Sequence, residues 1–150
     1  MPVEQALKLV NVGLGIVVAG DGQILICRRR SSDSFGGYWE FPGGKIEVGE
    51  SPADCVRREL REELDIEVTP ARALDVIEHQ YPKARVRLHP FLCRRDAGEP
   101  MAISAAEFLW VSPPALRDYR FPEGNRGLVQ ALADGLLALP GALDLAPDAP

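Results

Sequence analysis

The sequence predicts an α/β sandwich: a mixed sheet with helices packed on it. Three observations carry that prediction. Runs of β-branched and apolar residues separated by turn signals recur along the chain, an amphipathic helix opens at Ser51-Pro52, and a second segment of helical periodicity follows Asn125. At 150 residues the chain is expected to form one domain burying about two-thirds of its unfolded surface. The ordered core is expected over about residues 8–139, after a loose arm at Met1 to Leu7 and before a frayed Ala/Pro-rich tail over 140–150.

The elements follow in order. Lys8 to Ala19 reads as a strand whose glycines suggest close packing. Gly20-Asp21-Gly22 is a turn signal and Gln23 to Cys27 the returning strand, so the two are expected to form the first hairpin of the sheet. Arg28-Arg29-Arg30 closes that strand, Ser31 to Tyr38 is a loop, and Trp39 to Pro42 is a short apolar piece leading into Gly43-Gly44. Ser51 is suited to the N-cap, Pro52 to the first helical position and Asp54 to the first turn. Ala53, Val56, Leu60 and Leu64 should be the buried stripe, with the helix ending near Leu64-Asp65. Ile66 to Val68 begins a further strand, Leu74 to Gln80 and Arg85 to His89 are two more, and Tyr81 to Ala84 connects them. Ala97 to Pro100 is a turn, Phe108 to Val111 a short buried strand after Glu107, and Ser112-Pro113-Pro114 caps a short helix. The last helix is expected from Asn125 to Leu139, with Leu128, Leu132 and Leu136 on one side.

Composition narrows the function. A net charge of -5 argues against a nucleic-acid polymer as partner, because such proteins usually present a basic surface. There is no apolar run of membrane-spanning length and no signal-peptide pattern, so the chain is expected to be cytoplasmic with no membrane partner. Cys27, Cys55 and Cys93 lack CxxC spacing and read as buried, reduced thiols. His79 and His89 lie on strands without metal-ligand spacing and are assigned to core or surface roles.

The most informative stretch runs from Gly43 to Ile66. Glu59, Glu62 and Glu63 stand at i, i+3 and i+4, neighbours on one helical face. Like charges so placed weaken a helix by about a few tenths of a kcal/mol per pair, and a solvated helix would alternate signs instead. The cluster is therefore read as a divalent-metal site.

Gly44-x5-Glu50-x7-Arg58-Glu59-Leu60-x-Glu62-Glu63-x-Asp65-Ile66 resembles the Nudix box, G-x5-E-x7-R-E-U-x-E-E-x-G-U with U aliphatic. The one departure is Asp65 in place of a glycine that closes the helix, and Asp is among the few residues tolerating left-handed geometry. The resemblance implies the Nudix fold, an α/β/α sandwich with a mixed central sheet, and hydrolysis of a nucleoside diphosphate linked to another group. It implies Mg²⁺, with Mn²⁺ as a substitute, held by Glu59, Glu62 and Glu63 with the Gly43 carbonyl as a further ligand; carboxylates facing a polyphosphate suit such an ion. Which group takes the proton of the nucleophile stays open. By helical phase Arg58 points away from the ligand face, and its expected role is to hold the loop by pairing with Glu50.

Beyond the box, the chain looks most like the MutT-like branch, which cleaves nucleoside triphosphates, including 8-oxo-dGTP, to monophosphate and pyrophosphate. Trp39-Glu40-Phe41-Pro42-Gly43-Gly44-Lys45 resembles its lead-in, which implies substrate contacts for Glu40, Phe41 and Lys45. Phe121-Pro122-x-x-Asn125 resembles its base-binding segment, Arg29 falls where it places a base-contacting arginine, and Glu107 where it places an extra metal ligand or base. Phe41 and Tyr81 are candidates to pack on the base. Oxidation at C8 turns guanine N7 from acceptor to donor, so an amide such as that of Asn125 matches the O6/N7 edge only after oxidation. Such a mismatch supports roughly 10⁴-fold discrimination. Asn125 is equally suited to cap the last helix. The implied partner is a small-molecule nucleoside triphosphate, with a CTP-like pyrimidine triphosphate as the rival substrate and a non-catalytic regulatory Nudix module as the rival class. Monomer and homodimer both remain open.

Overall fold

In the computed structural model, which describes residues 7–137, the helix signal at Ser51-Pro52 is realised almost residue for residue. Helix α1 spans Pro52–Leu64, the Ser51 hydroxyl accepts the Asp54 N–H at 3.1 Å, and Pro52 sits in the first turn, where no N–H is needed. The helix stops at Asp65, which is left-handed (φ 56°, ψ 39°) and donates its N–H to the Arg61 carbonyl at 3.1 Å. Cys55, Val56, Leu60 and Leu64 form the buried stripe; Ala53 is only half-buried. Cys55 takes its place because its thiol donates to the Gly44 carbonyl at 3.3 Å, so the buried face is turned toward the glycine loop.

Strands β1 (Leu9–Val17), β2 (Ile24–Arg28), β3 (Trp39–Glu40), β4 (Gly43–Lys45), β5 (Glu67–Ala73), β6 (Ile77–Tyr81), β7 (Ala84–Ala97) and β8 (Glu107–Val111) form two sheets. The larger has the order β4-β1-β7-β5, with β6 also on β7; β1 and β7 are parallel and the other pairs antiparallel, so the sheet is mixed. The smaller is antiparallel, in the order β3-β2-β8.

The expected hairpin of the first two strands shrinks to one bridge, Val18 with Ile24. Both edges of β1 are taken, one by β4 and one by β7, so β2 crosses to the smaller sheet. Two further expectations shift. The strand expected at 74–80 forms only from Ile77, and the one expected at 85–89 continues through Pro90 to Ala97. Pro90 is tolerated because it falls where β6, paired as far as Leu88, gives way to β5, paired from Phe91.

Alternation along β1 gives the layers. A Cβ on Gly13 or Gly15 would touch Cys55, Val56 or Leu60 of α1, while Leu14 and Ile16 join Leu128, Val129 and Leu132 of the last helix in a separate core. Val17, Leu25, Val56, Leu60, Leu64 and Cys93 make the core on the α1 side. The result is an α/β/α sandwich. Burying a leucine such as Leu60 contributes about 1.5–3 kcal/mol.

After β8 come a 3-10 helix at Pro113–Asp118, a 3-10 turn at Glu123–Asn125 and helix α2 at Arg126–Ala133. The last helix is shorter than expected because left-handed Gly135 (φ 71°) donates its N–H to the Leu132 carbonyl and ends it. Leu136 therefore lies beyond the helix and is 76% exposed, not aligned with Leu128 and Leu132. Leu139, the N-terminal arm before Leu7 and the tail over 140–150 lie outside the described residues. All three cysteines are buried and free. No helix among the described residues is long and apolar enough to cross a membrane.

Candidate active site

Strand β4 carries Gly43 and Gly44 between β1 and α1, and both positions need the missing side chain. A Cβ on Gly43 would run into the Gly13 carbonyl, and one on Gly44 would lie 2.6 Å from both carboxylate oxygens of Glu59. The Gly43 N–H donates to Glu63 Oε2 at 3.3 Å. The glycine loop thus closes directly on two of the three helix carboxylates.

Arg58 is the hub of the exposed side of this cluster. Its Nε and Nη2 donate to the two oxygens of Glu50 at 2.7 and 3.0 Å, a bidentate pair that fixes the loop to α1 as expected. Nη2 also donates to the Lys45 carbonyl at 3.2 Å. The arginine does not point away from the acidic face, however. Its long side chain folds back so that Nη1 donates to Glu59 at 2.9 Å and Glu62 at 3.3 Å. The Arg58 hydrogen bonds hold the Glu50 carboxyl down at about 2.

The inner side of the cluster carries the opposite perturbation. Burial, followed by the charges of Glu40 and Glu59, pushes Glu63 up to about 9. Burial also raises Glu40, and Arg29 opposes that shift by donating Nη1 to Glu40 at 2.9 Å. Arg29 further donates Nε to the Ser34 carbonyl at 2.7 Å, tying the 31–38 loop to the acidic cluster. Burial and the charges of Glu63 and Glu40 raise the nearby Cys27 thiol well above its usual range.

Glu59 and Glu63 are therefore brought together with Glu40, whereas Glu62 is 60% exposed and turned to Arg58. Among the described residues no three His, Cys, Asp or Glu side chains converge closely enough to hold a metal as they stand. The donor set nonetheless fits a hard divalent ion: crowded carboxylate oxygens, one forced toward its neutral form, beside a glycine loop with no side chains of its own.

Other expected site residues separate. Glu107 is not part of the cluster: it shares the side of β8 occupied by Leu109 and Val111, which pack in the α2-side core, and lies 2.9 Å from Arg28 Nε across the β2–β8 pair. Strand alternation gives the α1 side to Phe108 and Trp110 instead. Phe41 is fully buried with its ring 5.1 Å from that of Phe121, so it is a core residue and offers no face to a base. Lys45 is exposed at the end of β4, one residue past Gly44. The Tyr81 hydroxyl accepts the Gly124 N–H at 2.8 Å. Asn125 is 8% exposed and stands at the N-cap position of α2, as expected, but its side chain makes no cap hydrogen bond. Cys55 is the buried, reduced thiol expected, but nothing in the sequence signalled its contact with the Gly44 carbonyl or the packing at Gly124.

A separate groove of about 450 Å³ is lined in part by Phe121 but by no residue of the carboxylate cluster; its Arg117 and Arg126 are paired with Asp134 and Glu123.

The NUDIX domain model matches residues 13–131, from the first sheet through α2. This chain belongs to the NUDIX family. As a member it is a hydrolase built on that fold. It is 33% identical over 125 residues to an 8-oxo-dGTP diphosphatase of Haemophilus influenzae, covering 83% of this chain and 92% of that one. It is 30% identical to a CTP pyrophosphohydrolase of Escherichia coli K12, over 83% of this chain and 92% of that one. A solved MutT structure, from work on the Aliivibrio salmonicida and Vibrio cholerae proteins, superposes with a TM-score of 0.69 at 32% identity, covering 85% of this chain and 98% of that one.

Proposed function

We propose that this Nudix hydrolase cleaves an oxidised purine nucleoside triphosphate of the 8-oxo-dGTP type to its monophosphate and pyrophosphate, using Mg²⁺. The observation that carries the choice of base is Asn125: a buried residue at the N-cap position of α2 whose amide makes no cap bond, in the 3-10 turn before the helix. An amide not engaged in the helix cap is available to a ligand, and the O6/N7 edge of 8-oxoguanine presents one acceptor and one donor to match it. Unoxidised guanine presents two acceptors there. The Haemophilus influenzae relative supports the same reading, and the CTP pyrophosphohydrolase relative keeps a pyrimidine triphosphate as the alternative.

Glu59, Glu62 and Glu63 would hold the Mg²⁺, which when bound supplies positive charge to the polyphosphate oxygens. The chain's own contribution is positional. Gly44 lets β4 close on Glu59, and the Glu50–Arg58 pair locks the loop to α1. Glu62 would have to turn from Arg58 to join the other two. Glu63, whose carboxyl is shifted toward its neutral form by burial and by the neighbouring charges of Glu40 and Glu59, would have to give up its proton to serve as a ligand. Arg29, anchored on Glu40 and Ser34, keeps unused donors for the base or phosphates.

The test is a pair of variants assayed by pyrophosphate release. Glu59→Gln is expected to abolish Mg²⁺-dependent turnover, and unaffected turnover removes Glu59 from the metal site. Asn125→Ala is expected to lower the preference for 8-oxo-dGTP over dGTP at least tenfold, and an unchanged ratio removes Asn125 from base recognition.

A further inference from the structure

The turn that carries Asn125 is short and weakly held by itself. It consists of Glu123–Asn125, with the Asn125 N–H bonded to the Pro122 carbonyl at 2.9 Å. A second hold comes from the β6–β7 turn, where the Tyr81 hydroxyl accepts the Gly124 N–H at 2.8 Å. Gly124 is buried and tightly enclosed: a Cβ there would stand 2.8 Å from Tyr81 Oη and 3.1 Å from His79 Cβ. The tyrosine ring is itself occupied, with His79 at 4.4 Å and Phe35 at 5.3 Å, both inclined at 63°. Its aromatic neighbours are protein side chains, and its polar end faces the turn.

We infer that Tyr81 is a positioning residue for substrate discrimination: its hydroxyl, through the Gly124 N–H, fixes the backbone from which the Asn125 amide projects. This rests on the reading of Asn125 as the base-recognising group. An amide rejects the wrong hydrogen-bond pattern only if it cannot shift to accommodate it, so the stiffness of its backbone sets the discrimination. Tyr81 thus acts on the base through Asn125, and the stacking role foreseen for its ring is not needed.

The experiment compares Tyr81→Phe, Tyr81→Leu and Asn125→Ala for kcat/KM on 8-oxo-dGTP and dGTP, with exchange of the Gly124 amide followed by NMR. Losing one hydrogen bond of this kind is expected to speed Gly124 exchange and lower the 8-oxo-dGTP preference of Tyr81→Phe about three- to tenfold. The loss should fall mainly on KM for 8-oxo-dGTP, and Tyr81→Leu should lower the ratio at least as much. If Asn125→Ala lowers the ratio while Tyr81→Phe leaves it unchanged, the tether is wrong and the Asn125 reading stands. If Asn125→Ala leaves the ratio unchanged, both fall. If Tyr81→Phe is silent and Tyr81→Leu raises KM equally for both nucleotides, the ring stacks on the base and the inference is overturned. A stability cycle gives a check independent of activity. Gly124→Ala forces a methyl against the hydroxyl, so Tyr81→Phe is expected to restore part of the lost Tm; strictly additive losses contradict the contact.

Discussion

Replacing Gly44 by alanine probes the approach of the glycine loop to Glu59 without removing any charged group. The added methyl would lie 2.6 Å from both Glu59 oxygens and closer still to the carboxylate carbon, whereas an ordinary contact begins near 3.4 Å, so the carboxylate must retreat by about 1 Å. Glu59 is only 16% exposed and is held on its outer side by Arg58 at 2.9 Å, so the retreat displaces the arginine as well. The fold itself should survive, because Gly44 is half-buried at the rim and α1 keeps its apolar stripe. A misplacement near 1 Å in a catalytic constellation costs on the order of 10²-fold in rate. Gly44→Ala is therefore expected to lose about 10²-fold in kcat at saturating Mg²⁺, with Tm changed by only a few degrees. Pyrophosphate release and thermal unfolding, measured on the same preparation, check both halves. A variant retaining more than half of the wild-type kcat would show that Glu59 does not work from the position described.

Three further outcomes follow from other parts of the molecule. Glu63 is held near 9 against 4.5 in the unfolded chain, so the metal-free fold keeps a proton that the unfolded chain loses; stability from this group is full below pH 4.5 and falls as pH rises toward 9. Mg²⁺ binding at pH 7.5 should then release close to one proton, seen by calorimetry in buffers of different ionisation enthalpy, and buffer-independent heats would contradict it. The Glu50–Arg58 pair has the opposite sign: its contribution is present above pH 4.5 and lost toward pH 2, so Glu50→Gln should flatten the acid limb of metal-free unfolding, and an unchanged limb would count against the pair. At the left-handed Asp65, valine should cost about 1–2 kcal/mol in urea unfolding while glycine costs nothing; equal losses would show that the helix exit is not under that constraint.

Much of this was legible in the residues because the signals were local. Ser51 and Pro52 fix the start of α1, and the i, i+3, i+4 spacing puts Glu59, Glu62 and Glu63 on one face whatever the rest of the chain does. Asp65 was recognisable as a left-handed exit for the same reason. What was not legible depends on contacts between distant segments. The first hairpin failed because β7, some 70 positions along the chain, claims the edge of β1. Arg58 could not be placed by helical phase, since a side chain of that length reaches both its neighbour Glu59 and Glu62 one turn further on. Phe41 looked available to a base until its contact with Phe121 placed it in the core. Glu107 was located by its distance along the chain, yet strand alternation and its Arg28 partner decide its side.

The central claim is that a carboxylate helix closed by Gly44 hydrolyses the polyphosphate while Asn125 selects an oxidised purine. The most direct measurement is kcat/KM with Mg²⁺ for 8-oxo-dGTP, dGTP, dCTP, CTP and ADP-ribose under one set of conditions. The account predicts that 8-oxo-dGTP leads dGTP by at least tenfold and exceeds both pyrimidine triphosphates and ADP-ribose. A lead for CTP, dCTP or ADP-ribose, or equal rates on 8-oxo-dGTP and dGTP, would contradict it.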